Sequence, residues 1–268
     1  MGLPKVNLVL WSIIFFPLFI LSCVSGPEDI RPSTSTVSSE LIAESMGMME
    51  ELDLIVVSVL QQDLNQQKIF PLLDETSCPG AMITRETRSN IIIVDYGNGC
   101  VCNRGLEKRG KLTIKYTDGI LIKGAKITLI LESFYLNGMR MEGLREIENL
   151  GYLPSSRSLG FASRMENFQL TLSNGKQLRL TQDYIRELQF STEETGFRIY
   201  LKGKEILEMP GFSKTNVEII KSVVYRQECM TSGISAPSEG SLEIRSEQDI
   251  KVLVDFNSTA CNKLWEEL

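Results

Sequence analysis

The chain has 268 residues, a formal charge of −6 and no histidine. Without imidazole there is no Ser-His-Asp or Cys-His mechanism and no zinc site that needs a histidine ligand. An acidic chain with no basic block also argues against nucleic acid as a partner, because that binding needs clustered Lys and Arg.

The first element is a leader. Met1–Lys5 carries one positive charge, and Val6–Ser22 carries none. As a helix that run spans roughly 26 Å at 1.5 Å per residue, short of the ~30 Å hydrocarbon core. A basic start, an apolar middle and a small residue at the end predict a signal peptide over 1–22. An uncleaved anchor and ordinary cleavage near Ser22 or Gly26 are the alternatives. The run ends on Ile20-Leu21-Ser22-Cys23, which resembles the lipobox of bacterial lipoproteins. The resemblance implies that Cys23 is lipidated on sulfur, with palmitate-type acylation of its new amino group. It also implies a cell-envelope protein held to the lipid bilayer, most simply at the outer membrane. One acyl chain binds a membrane only marginally, whereas two or more hold a protein there durably. Removing Lys5 with the leader takes the formal charge from −6 to −7. The remaining chain of about 245 residues suffices for one large core or two small ones.

Val24–Ser39 is rich in Pro, Ser and Thr, too polar to bury the surface that ordering requires. Residues 23–39 are expected to be a lipidated tether. Within 40–67, Ile42, Met46, Met49, Leu52, Val56, Val59 and Leu60 recur at helical spacing. An amphipathic helix capped by Ser38 or Ser39 is predicted there, covering an edge or face of a sheet.

From Gly80 the period changes to two. Leu112, Ile114 and Tyr116 alternate with Lys111, Thr113 and Lys115; Ile127, Leu129 and Leu131 follow the same rule. Phe168, Leu170 and Leu172, then Leu178 and Leu180, then Phe197, Ile199 and Leu201 repeat it. The pattern predicts antiparallel sheet with one packed face. Asn-Gly in Leu136–Met139 and in Ser173–Lys176 marks hairpin turns. Tyr116–Gly119 and Leu201–Lys204 read as further turns, and Asn149–Gly160 as the one long loop. The predicted class is all-β: about a dozen strands in an antiparallel meander, folded into a sandwich or a half-open barrel. Residues 68–268 are expected to be a single β-rich domain.

Two segments look alike. Cys78–Asn103 and Cys229–Asn262 each run cysteine, strand, polar turn, strand, Asp-aromatic, cysteine. With Gly110–Tyr116 and Phe134–Gly151, they resemble an uncharacterised family of envelope lipoproteins from the Bacteroidota. The resemblance covers residues 78–151 and 229–262 and implies location and fold rather than chemistry. Such proteins carry an Asp-Gly loop before the second cysteine of each pair; here Asn98 and Asn257-Ser258 stand in its place.

Candidate chemistry is sparse. Asp95 and Asp255 occupy equivalent places in the repeat and could ligate a hard cation with Asn98 and Asn257, but one acid per loop suits a turn cap better. Cys100-Val101-Cys102 lacks the further ligands of a thiolate metal site, so no metal and no cofactor are expected. A glycosidase needs two carboxylates at a set separation, and none of the 34 acidic residues stands out. Tyr135, Tyr152, Tyr184, Phe190, Tyr200, Phe212, Tyr225 and Trp265 could line a sugar-binding face, though strand spacing favours the core. The expected function is a non-enzymatic binding or structural role in the envelope, with an envelope protein or glycan as partner. The alternatives are a glycan hydrolase with an unlocated Asp/Glu pair, and an adhesin or assembly subunit. Apart from Cys23, five cysteines remain, an odd number. Hairpins closing near Ser89 and Ser246–Asp249 predict the disulfides Cys78–Cys100 and Cys229–Cys261. Cys102 is left over, able to replace Cys100 if the first hairpin slips.

Overall fold

The computed structural model describes residues 36–62, 80–102, 104–190, 196–230, 235–257 and 265–267, together with Gly2 and Cys78. The expected signal peptide, the lipidated Cys23, the tether before residue 36 and Cys261 lie outside the described residues.

Helix α1 spans Ser39–Gln62. Ser38 caps it: its Oγ accepts from the Leu41 N–H at 3.3 Å. The expected helical residues 63–67 lie outside the described ones. Thirteen strands follow among the described residues. They are β1 (Met82–Glu86), β2 (Ile91–Asp95), β3 (Cys100–Val101), β4 (Glu107–Tyr116), β5 (Lys126–Leu136), β6 (Met139–Leu153) and β7 (Ser158–Thr171). After them come β8 (Gln177–Phe190), β9 (Phe197–Glu208), β10 (Thr215–Arg226), β11 (Glu239–Ser246), β12 (Lys251–Asn257) and β13 (Trp265–Glu267). A single turn of helix, α2 (Gln227–Met230), sits between β10 and β11.

The strands follow one another in chain order along one antiparallel sheet, with β3 off the path beside β4. The sheet does not close on itself; β1 and β13 are its ends. The meander predicted from period-two alternation is therefore the fold, with the sheet left open as a sandwich or half-open barrel requires. Asn137 and Gly138 join β5 to β6 with φ of 48° and 79°, the pair of positive values a two-residue type I′ hairpin requires. Ser173–Lys176 belongs to a longer loop, closed by the Leu172 N–H to Lys176 C=O bond at 2.8 Å.

Two turn assignments need correction. Leu201–Lys204 is no turn but the middle of β9. Gly203 serves there because a Cβ would lie 2.2 Å from the Asp183 carbonyl oxygen, and its φ is +128°. Asn149–Gly160 is not a long loop either: β6 runs to Leu153 and β7 starts at Ser158, so only 154–157 turn. The Pro-Ser-Ser there made a four-residue hairpin look like a linker.

The helix also differs from its expected place. From Ile42 to Leu60 every residue except Glu44 and Val57 is buried. A helix buried all round lies inside a core rather than on a face. The sheet's inner side chains, among them Leu112, Leu129, Phe134, Phe168, Leu180 and Leu201, form one apolar cluster with Ile42, Met46, Leu52 and Val59. The helix is more enclosed than expected because the acids of Met49-Glu50-Glu51-Leu52-Asp53 face cationic side chains of the protein instead of water.

Candidate functional site

Successive helix positions are turned by about 100°, so Glu50 and Asp53, three apart, share a face while Glu51 points elsewhere. Asp53 takes a bidentate bond from Arg145 of β6, Nε to Oδ1 at 2.7 Å and Nη2 to Oδ2 at 3.0 Å. Arg186 of β8 donates Nε and Nη2 to Glu50 Oε1 at 3.0 and 2.6 Å, and its Nη1 lies 2.9 Å from Asp53 Oδ2. Ser163 of β7 accepts from both arginines. Glu51 turns to another part of the chain. It takes both terminal nitrogens of Arg104, at 2.7 and 2.8 Å, and the N–H and hydroxyl of Ser235.

The network continues across the sheet. Arg145 Nη1 donates to Gln182 at 2.8 Å, and Gln182 Nε2 donates to Glu205 Oε2 of β9 at 3.1 Å. Arg145 is completely buried. Burial pushes Glu205 up to about 7, because Gln182, Tyr184 and Arg145 offset only part of the lost hydration. Glu50 is likewise raised by burial despite Arg186. At Asp53 burial is outweighed by Arg145 and Arg186, and the carboxyl sits below its usual range. The Tyr225 hydroxyl has no hydrogen-bond partner among the described residues, and Glu205 Oε1 and the Tyr184 hydroxyl face each other without a well-aligned bond. The phenols of Tyr184 and Tyr225 are both raised by their burial.

Beside this network lies a hollow of about 60 Å³, partly open to solvent. Its walls are apolar: Leu54 and Val57 from α1, with Ile147, Phe161, Leu188 and Phe197 among the residues opposite. Glu50, Asp53 and Arg186 form its charged end. A second space of about 380 Å³ crosses β7 to β11 and is rimmed by charges of both signs. Those charges pair locally: Arg164 with Asp183 at 3.2 Å, and Glu243 with Arg245 and Lys251.

The residues singled out in the sequence are distributed differently. Asp95 Oδ1 accepts from the Gly97 N–H at 2.8 Å and Oδ2 lies 3.0 Å from Lys111. These contacts hold the carboxyl below its usual range. Asp255 accepts from Ser241 on the neighbouring strand at 2.9 Å. Asp95 is thus tied to the turn after β2 and to β4, and Asp255 to β11; the two cysteine-bounded segments contain the hairpins β1–β2 and β11–β12 near the two ends of the sheet. Cys78 sits within disulfide reach of Cys100, the expected partner, and also of Cys102, and its sulfur can bond only one of them at a time. Cys229, in α2, is disulfide-bonded, and its expected partner Cys261 is outside the described residues. Of the aromatics, Tyr184 and Tyr225 are core, Tyr152 is exposed, and the side chains of Phe190 and Trp265 lie outside the described residues.

Glu50, Glu51, Asp53, Arg145, Arg186 and Glu205 escaped the sequence reading, yet a signal was present. Arg145 stands in phase with Met141 and Ile147, Arg186 with Leu180 and Leu188, and Glu205 with Leu201 and Leu207. A charge in the apolar phase of a strand is a buried charge, and a buried charge needs a partner. No protein-family model, curated protein or solved structure matches this chain.

Proposed function

We propose that this protein is a lipid-anchored, non-catalytic binding lipoprotein of the cell envelope, and that its ligand presents the end of an apolar chain to the hollow beside α1. The observation that carries the reading is the hollow itself. Away from its charged end it is bounded by aliphatic and aromatic side chains, where a water finds few of the two to four polar partners it needs. Such a space favours an apolar group over solvent. The neighbouring carboxylates support a non-catalytic role. Glu50 and Asp53 are held by guanidinium groups, whereas hydrolytic acids need access to substrate and water. The anchoring half of the reading rests on the leader and on Ile20–Cys23.

Binding is tested with a fluorescent fatty-acid probe titrated against the full chain and against Val57→Trp. Val57 is half-buried and lines the hollow, so the indole fills the space from its open side. Saturable binding by the wild type and its loss in Val57→Trp, at unchanged melting temperature, is the expected outcome. No saturable binding, or equal binding by the variant, refutes the ligand. Turnover of a glycan panel would transfer the assignment to the hydrolase. Anchoring is tested separately: mass spectrometry of native protein should find lipid on Cys23, and Cys23→Ala should release the protein or leave it unprocessed.

A further inference from the structure

We infer that Cys78, Cys100 and Cys102 form a thiol–disulfide exchange site, in which Cys78 is the shared sulfur and Cys100 is the thiol offered to an outside disulfide. Cys100 and Cys102 are two residues apart along an extended segment, so their side chains fall on the same side. Both reach Cys78: the Cα separations are 5.7 Å to Cys100 and 4.6 Å to Cys102. Each lies within the range that a disulfide spans without backbone movement. A stable disulfide joins two sulfurs, so at any moment one of the three cysteines is a thiol.

The backbone that carries them is fixed in either pairing. Cys100 faces Lys108 and Val101 faces Glu107 across the β3–β4 ladder. One residue on, the Cys102 N–H donates to the Leu106 carbonyl at 2.9 Å. On the other side, the Cys78 carbonyl accepts from the Ala81 N–H at 3.0 Å. Changing partner therefore asks for side-chain rotation alone, and the hairpin slip that the sequence seemed to require is unnecessary.

The exchange is isoelectronic. The Cys100 thiolate attacks the Cys78 sulfur of a Cys78–Cys102 disulfide. The new Cys78–Cys100 bond forms as the bond to Cys102 breaks, and the electron pair leaves on the Cys102 sulfur, which takes up a proton. No oxidant or reductant enters the step. What changes is access. Cys102 is 4% exposed, whereas Cys100 is only partly buried and adjoins the exposed Val101. Exchange rates follow thiolate fraction and access, so the Cys78–Cys102 form is the one that reacts with an external disulfide. That reaction joins Cys100 to one half of the disulfide and releases the other half as a thiolate.

The test uses full-length protein purified without reductant, quenched in acid, digested at low pH and fragmented across Val101, which separates Cys100 from Cys102. Both linkages to Cys78 should be present. After incubation with oxidised glutathione at mildly alkaline pH, the glutathione adduct should sit on Cys100, and the surviving protein disulfide should be Cys78–Cys102. Cys100→Ser and Cys102→Ser each leave an even pair with no spare thiol, so both should lose the adduct. A single linkage with an unmodified third cysteine refutes the inference. So does an adduct on Cys102 with Cys78–Cys100 intact, or an adduct that persists in Cys100→Ser at the other two cysteines. The wild-type measurements decide the matter even if a variant folds poorly.

Discussion

Glu205→Gln removes one ionisable proton from the interior while keeping the side chain's shape. In the wild type, burial raises this carboxyl from an ordinary 4.5 to about 7. The folded protein therefore holds the proton to a higher pH than the unfolded chain does. Below about pH 4.5 both states are protonated and the stabilisation is fully present; it is lost as pH rises through 7. One pK unit corresponds to about 1.36 kcal/mol, so the loss across this window is on the order of 3 kcal/mol. Glutamine mimics the protonated acid: its carbonyl can accept from Gln182, and its amide can donate to the Tyr184 hydroxyl, which the ionised carboxylate faces. The variant should match the wild type near pH 4.5 and exceed it by about 3 kcal/mol at pH 8. Urea denaturation of both proteins at the two pH values measures the difference through linear extrapolation. A difference that does not change with pH, or a variant less stable than the wild type at pH 8, would refute the reasoning.

Asp53→Ala should destabilise by about 3–5 kcal/mol, because it strips carboxylate contacts from two buried arginines. Asp53→Ala combined with Arg145→Met should recover part of that loss; denaturant melts of single and double variants yield the coupling, and simple additivity would count against the network. Gly203→Ala should cost clearly more than Gly138→Ala. At Gly138 only the positive φ is penalised, by about 1–2 kcal/mol, whereas at Gly203 a Cβ also strikes the Asp183 backbone. Equal losses on thermal melting would show that β9 can shift to admit the methyl group.

The sheet was legible because alternation is a direct consequence of strand geometry, and Leu112/Ile114 or Leu178/Leu180 needed no further information to be placed inward. The helix was legible as a helix, but its position was not. Helical spacing of Ile42, Met46 and Leu52 is compatible with covering a face or with filling a core, and three acids nearby would ordinarily face water. What reverses that argument is Arg145 and Arg186, which lie 92 and 136 residues away from their partners. Turn chemistry was readable at Asn137-Gly138, where backbone sign decides. It misled at Gly203, where the glycine answers to a neighbouring strand rather than to its own chain direction. The pairing of Cys78 with Cys100 followed from the hairpin. The equal claim of Cys102 did not, because it depends on where Cys78 sits beside the β3–β4 ladder.

The enclosure of α1 has a consequence for how the protein folds. The helix is the earliest of the described elements in the chain, and its sequence favours it poorly in isolation. It contains Gly47 and the β-branched residues Ile55, Val56, Val57 and Val59, and helices gain most of their stability from tertiary packing. Its acids lack their strand partners until β6 and β8 exist. Any N-terminal fragment ending before β8 thus holds an apolar segment with Glu50 unmatched, and any fragment lacking α1 exposes the inner face of the sheet. Contacts of such sequence separation close slowly. The domain should therefore acquire its core late and all at once, by wrapping a weakly formed helix rather than by docking strands onto a finished one.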